Sequence, residues 1–222
     1  MRYAISGEIA QSVRLEIAPG EFVWCSKGSL MALTPGIQWN LRIPGGLGGA
    51  VRRSLSGEGI ALTYLQTDRP DQHVLLAANA PGHLEVWDLE SDGPVTTTRG
   101  SFLCAWGSDL DITVTIARRA GAAFFGGAGL FLQTISGRGT VLVHASGDFS
   151  EHRLTVGEQL LVSTGNLAAF SSQVDYDIQG VGGCRKILFS GEGLFMTRLS
   201  GPGRVLLQTL KRQFGTSTTN GG

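Results

Sequence analysis

Three stretches of this chain follow one pattern. Gly57-Glu58-Gly59-Ile60-Ala61-Leu62-Thr63, Gly127-Ala128-Gly129-Leu130-Phe131-Leu132-Gln133 and Gly191-Glu192-Gly193-Leu194-Phe195-Met196-Thr197 each open on a Gly-x-Gly turn and run into a mainly apolar strand. A loop and a second apolar run follow each of them: Val74-Leu75-Leu76, Val141-Leu142-Val143 and Val205-Leu206-Leu207. The openings at 57, 127 and 191 lie 70 and 64 residues apart. A strand-turn-strand unit recurring at such a spacing is the mark of an internal repeat, and it limits the fold more than any local motif does.

Period-two alternation fills out each copy. In the first, expected over 1–80, Val13, Leu15 and Ile17 alternate with Arg14 and Glu16, and Trp39, Leu41 and Ile43 alternate with Asn40 and Arg42. Pro44 to Gly49 break that strand, and residues 50–55 suit one helical turn before Gly57. The second copy, 81–147, carries Leu110, Ile112, Val114 and Ile116 alternating with Asp111, Thr113 and Thr115, while Trp87 and Asp88 disturb its opening strand. The third, 148–212, has Val174, Tyr176 and Ile178 against Asp175 and Asp177. Gly28 to Leu33, Gly100 to Ala105 and Gly165 to Phe170 occupy matching places. The polar stretch 213–222 reads as a disordered tail. Short strands punctuated by Gly and Pro, with no long 3.6-residue period, predict an all-β protein. Each 65-residue unit alone would leave raw sheet edges, so the copies are expected to pack edge to edge with pseudo-threefold symmetry, oligomerisation covering the edges that remain.

Charge and cysteine content narrow the function. Eighteen basic and eighteen acidic side chains balance, which argues against nucleic-acid binding through bulk electrostatics. Cys25, Cys104 and Cys184 share no metal-ligand or disulfide spacing and read as reduced, half-buried thiols. With no signal-peptide core and no apolar run of transmembrane length, a soluble cytoplasmic protein is expected.

Catalytic constellations are not evident. The four histidines, His73, His83, His144 and His152, lack the paired spacing of a cupin-type metal site. His73 and His144 fall at comparable counts within two copies, with Gln208 near that point in the third. No Gly-x-Ser-x-Gly is present, and no Cys has a His nearby in sequence. The Gly-x-Gly units lack the Lys-Ser/Thr and strand-to-helix setting of a phosphate loop. A basic pair precedes each of them: Arg52-Arg53, Arg118-Arg119 and Arg185-Lys186. Under threefold symmetry these six charges would share one rim suited to the phosphates of RNA or a membrane surface. The plainer reading is solvated surface charge, or pairing with Glu58, Asp175 and Asp177. Apolar residues of the same connections, among them Phe124, Phe125 and Ile187 to Phe189, suit core or subunit contacts.

Val174-Asp175-Tyr176-Asp177-Ile178, Gly182-Gly183, Gly191 to Phe195 and Leu199-Ser200-Gly201-Pro202-Gly203-Arg204-Val205 carry a further signal. With Gly127 to Val143 and Gly45 to Leu65, they resemble the altered-inheritance-of-mitochondria (mitochondrial biogenesis) protein family along almost the whole chain. The resemblance implies a fold like the tryptophan RNA-binding attenuator protein, of three tandem β-sandwich or double-stranded β-helix-like repeats. It also implies ring-like oligomers, with a homotrimer favoured, and supplies no catalytic residues. Ala128 stands where the other copies have Glu58 and Glu192, so that glutamate is not required in every copy. The expectation is a non-enzymatic oligomeric β scaffold with no cofactor and no metal, binding a partner through its rim or inter-subunit grooves. RNA binding, by analogy with the attenuator protein, is the alternative, and a small-molecule enzyme with a pocket between repeats is a third reading.

Overall fold

The computed structural model describes residues 1–44, 61–117, 130–180 and 195–212. The Gly-x-Gly openings, the helical turn expected at 50–55, Cys184 and the tail at 213–222 lie outside the described residues.

The described chain is almost entirely antiparallel β-structure. After β1 (Arg2–Ser6) come β2 (Ser12–Ile17), β3 (Phe22–Cys25), β4 (Leu30–Leu33), β5 (Gln38–Arg42), β6 (Leu62–Gln66) and β7 (Gln72–Ala77). Four strands follow: β8 (Gly82–Asp88), β9 (Val95–Thr98), β10 (Phe102–Ala117) and β11 (Leu130–Ser146). The last part holds β12 (Phe149–Leu154), β13 (Gln159–Ser163), a 3₁₀ turn over Thr164–Asn166, β14 (Leu167–Ser171), β15 (Asp175–Gly180), β16 (Phe195–Ser200) and β17 (Gly203–Gln208).

One order of pairing recurs along the chain. β7 lies between β2 and β4, and β17 lies between β12 and β14. The C-terminal half of β11 lies likewise between β8 and the start of β10. A bulge falls at the same step of each ladder, between Leu30 and Ala32, Phe102 and Cys104, and Leu167 and Ala169. β6 lies between β3 and β5, β16 between β13 and β15, and the N-terminal half of β11 between β9 and the end of β10. The long strands β10 and β11 thus do in one piece what pairs of short strands do elsewhere. Their ladder shifts register between Ser108 and Asp111, just after Gly107 meets Gly139. Both glycines have positive φ, 150° and 144°, and a Cβ on either would sit 2.1 to 2.2 Å from a carbonyl oxygen of the facing strand. Only glycine permits that approach.

Two junctions join these groups. β3 pairs with β10, Cys25 opposite Cys104, and β9 pairs with β14, Thr97 opposite Ala169. Apolar side chains on alternate strand positions gather into three clusters. The first holds Val13, Leu15, Val74 and Leu76, the second Trp87, Phe102, Ile112 and Val143, and the third Leu130, Leu167, Phe170 and Val205. Trp87, which breaks the alternation of its strand, is fully buried, and its indole N–H donates to the Gly93 carbonyl at 2.9 Å. β4 and β13 each end a sheet, so each keeps one border without a partner among the described strands.

Two sequence expectations need correction. Cys25 and Cys104 are fully buried rather than half-buried, and burial pushes the Cys25 thiol up to about 11 and the Cys104 thiol well above its ordinary value. His73 and His144 are not counterparts. The ladders set Leu76, Val143 and Leu207 in equivalent places opposite the bulges, so His144 corresponds to Ala77 and Gln208, and His73 to Thr140 and Arg204.

Candidate functional site

The six expected rim residues, Arg52, Arg53, Arg118, Arg119, Arg185 and Lys186, lie outside the described residues. Asp177, offered as a partner for such charges, is engaged by Arg198 at 3.3 Å.

The described polar centres are built to hold strands together. Arg204 of β17 is 8% exposed and points its guanidinium at Glu85 of β8 (2.6 Å), Glu151 of β12 (3.0 Å) and Asp92 (3.2 Å), while it lies 4.8 Å from the centre of the Trp87 ring. Burial alone would pull its pKa down, and the hydrogen bonds and charges of Glu151, Glu85 and Asp92 more than reverse this. Burial likewise works to raise the Glu151 carboxyl, and Arg204 with Arg153 outweighs it and holds the group below its ordinary value. The centre ties the second part of the chain to the third. Sequence reading missed it because Arg204 stands at the head of an apolar run.

A second arginine closes a cleft of about 200 Å³ lined by Lys27, Ser29, Asn79, Phe102, His144 and Arg212 among others. Arg212 donates to Ser146 Oγ, Ser101 Oγ, the Arg99 carbonyl, His144 Nδ1 (2.8 Å) and the His144 carbonyl (3.2 Å). All five of its N–H groups are used, so it clasps the segment after β17 to β11 and offers no spare donor to a ligand. Its partners are uncharged, and burial lowers its pKa to about 10. Burial, reinforced by the Arg212 charge, lowers the His144 imidazole to about 4. His144 is therefore neutral near pH 7, accepting at Nδ1 with its proton on Nε2. The Ala80 carbonyl lies near that ring and favours its charged form, but Nε2 makes no bond of hydrogen-bonding geometry. A larger cleft of about 500 Å³, lined by Arg2, Arg14, Glu16, Glu21 and His73 among others, is half open and mixes both signs of charge. Among the described residues no three His, Cys, Asp or Glu side chains converge as metal ligands, and no helix is long and apolar enough to cross a membrane.

The surface is more distinctive than the clefts. Along the unpaired border of β4, Met31 is 61% exposed, and along that of β13, Leu161 is 53% exposed. At the junctions already made, the residues corresponding to Met31 are Leu103 and Ala168, at 1% and 0%. Elsewhere, Tyr64 of β6 stacks on Phe22 at 5.5 Å and meets Trp24 edge-on at 4.9 Å, and the Arg42 guanidinium sits 4.0 Å over its ring. This cluster sets a cation over stacked aromatics, and it escaped sequence reading because its members come from three strands.

The arrangement defines a class: an all-β protein of several antiparallel sheets whose buried charges serve cohesion and whose β4 and β13 borders expose apolar side chains. Residues 3–210 match the model of the family described as Mitochondrial biogenesis AIM24, and the chain belongs to that family. It is 31% identical over 207 residues to the uncharacterized protein M6_Spy0233 of Streptococcus pyogenes serotype M6, covering 89% of this chain and 81% of that protein. The crystal structure of protein SPYM3_0169 from Streptococcus pyogenes is similar to it, with a TM-score of 0.78 and 26% identity over 95% of this chain and 94% of that one.

Proposed function

We propose that the chain is a triplicated β module, with units over 1–80, 81–147 and 148–212 joined in tandem through the β3–β10 and β9–β14 junctions, on an attenuator-protein-like fold. In this reading it acts in the cytoplasm as a non-enzymatic homo-oligomeric scaffold, a homotrimer by the family resemblance, that binds a partner through its rim or the grooves between copies. One observation carries it: the unpaired borders of β4 and β13 carry the exposed apolar side chains Met31 and Leu161, and the positions that match Met31 are buried in the rest of the molecule. Unpaired strand borders of this kind are templates for association. The placement of Arg204 and Arg212 agrees, since both act as internal ties. Native mass spectrometry and light scattering test it: a discrete oligomer, three chains at first expectation, supports the scaffold, and a monomer at every concentration overturns it.

The Phe22, Trp24, Tyr64 and Arg42 cluster favours a second reading, single-stranded RNA stacked on that face. Its single cation and the balanced net charge weigh against it. Purified protein free of 260 nm absorbance, with no RNA retained at low salt, rejects that reading.

A further inference from the structure

Each junction inside the chain joins a β3-type strand to a β4-type strand in the same way. At the first, Cys25 faces Cys104 and Trp24 faces Ala105, and at the second, Thr97 faces Ala169 and Thr96 faces Phe170. A hydroxyl closes both: Ser26 Oγ donates to the Phe102 carbonyl and Thr98 Oγ1 to the Leu167 carbonyl, the latter at 2.7 Å. The strand that would begin a third junction is β13, whose Val162 pairs with Thr197 as Cys25 pairs with Thr63 and Thr97 with Gln133. The strand that would receive it is β4, bulged as β10 and β14 are. Among the described strands of one chain these two borders are unpaired.

We infer that a second copy of this chain supplies the missing half, β13 of one copy adding to β4 of the next with Val162 opposite Ala32 and Leu161 opposite Leu33. The inference rests on the scaffold reading and names the surface that builds it. The chemistry is already in place. Ser163 occupies the position of Ser26 and Thr98 and faces the Leu30 carbonyl in the matched register. Met31 takes the position of Leu103, whose carbonyl accepts from the Ser26 N–H at 2.8 Å. By that match the Met31 carbonyl faces outward, ready to accept the Ser163 N–H. The contact uses two different surfaces, so it is heterologous and joins copies head to tail.

The test uses Met31→Lys and Leu161→Lys, each placing a charge at a border that the contact would bury. Every copy of either variant has one blocked border, so either preparation alone is expected to run as single chains. Mixed, they are expected to form a 1:1 dimer and nothing larger, because each supplies the border that the other lacks. Leu161→Pro repeats the β13 arm of the experiment by removing an outward N–H, with circular dichroism confirming the fold. If the wild type is oligomeric and both variants stay so, the junction is wrong and the scaffold reading survives. A loss of assembly in one variant only points to a symmetric contact and overturns the head-to-tail order. The absence of a mixed dimer overturns it as well. A monomeric wild type removes the scaffold reading and this inference together.

Discussion

Replacing Arg204 by methionine probes the tie between the second and third parts of the chain. The substitution keeps the apolar stem beside Trp87 and removes one guanidinium from three carboxylates, Glu85, Glu151 and Asp92. Breaking a buried ion pair by deleting one partner costs about 3 to 5 kcal/mol. The three acids keep between 24 and 38% exposure, so water screens what is left and places the cost near the lower end, about 3 kcal/mol. For a chain of this size that is a fall of about 6 to 12 °C in Tm at pH 7.

The pH dependence separates charge from packing. In the wild type the Glu151 carboxyl lies below its ordinary value, so its contribution is present above about 4.5 and is lost as pH falls through the depressed value. In Arg204→Met the three carboxylates keep only Arg153, paired with Glu151, as a counter-charge, so protonation relieves the repulsion that remains. The gap between the two proteins should therefore narrow from pH 7 to about pH 3, leaving about 1 kcal/mol from the lost cation–π contact. Urea unfolding across that range measures it. A gap that stays constant with pH would refute the electrostatic account and assign the whole cost to packing.

Three other outcomes are expected. His144 has a folded pKa of about 4 against 6.5 unfolded, so stability should fall by up to about 3 kcal/mol as pH drops through that window, and His144→Gln, the side chain found at the matching Gln208, should flatten that limb in urea titrations. Gly107→Ala forces a Cβ to 2.1 Å from the Arg138 carbonyl oxygen at positive φ and should cost about 3 kcal/mol or more, whereas Gly20→Ala, with open space around it, should cost about 1 kcal/mol in the same denaturation assay. In a Cys184→Ser background the thiols of Cys25 and Cys104 should resist an aromatic disulfide reagent until the protein unfolds, since burial both shields them and keeps them protonated; rapid modification of the native protein would contradict this.

Strands whose faces differ in burial are visible in sequence because alternation is a local property. Val13, Leu15 and Ile17, or Ile112 and Val114, need no distant information to reveal β2 or β10. Equivalence between copies is harder, because it depends on turn length. Counting from the Gly-x-Gly openings brings His73 within one place of His144 and Gln208, but five residues connect β6 to β7 and only Gly201 and Pro202 connect β16 to β17. That three-residue difference moves His73 off the matching place, and only the ladder reveals it. Border exposure is harder still. Met31, Leu103 and Ala168 are three apolar residues in matching stretches, and composition cannot say which of them faces water. The distinction comes from whether a β3-type strand arrives from a neighbouring unit. Two of the three β4-type strands are met within the chain, so the unmet pair β4 and β13 is a property of the whole chain that no single window of sequence contains. The same logic explains Arg204: a cation at the head of an apolar run is costly alone, and becomes stabilising only once β8, β12 and the Asp92 turn bring three carboxylates to it.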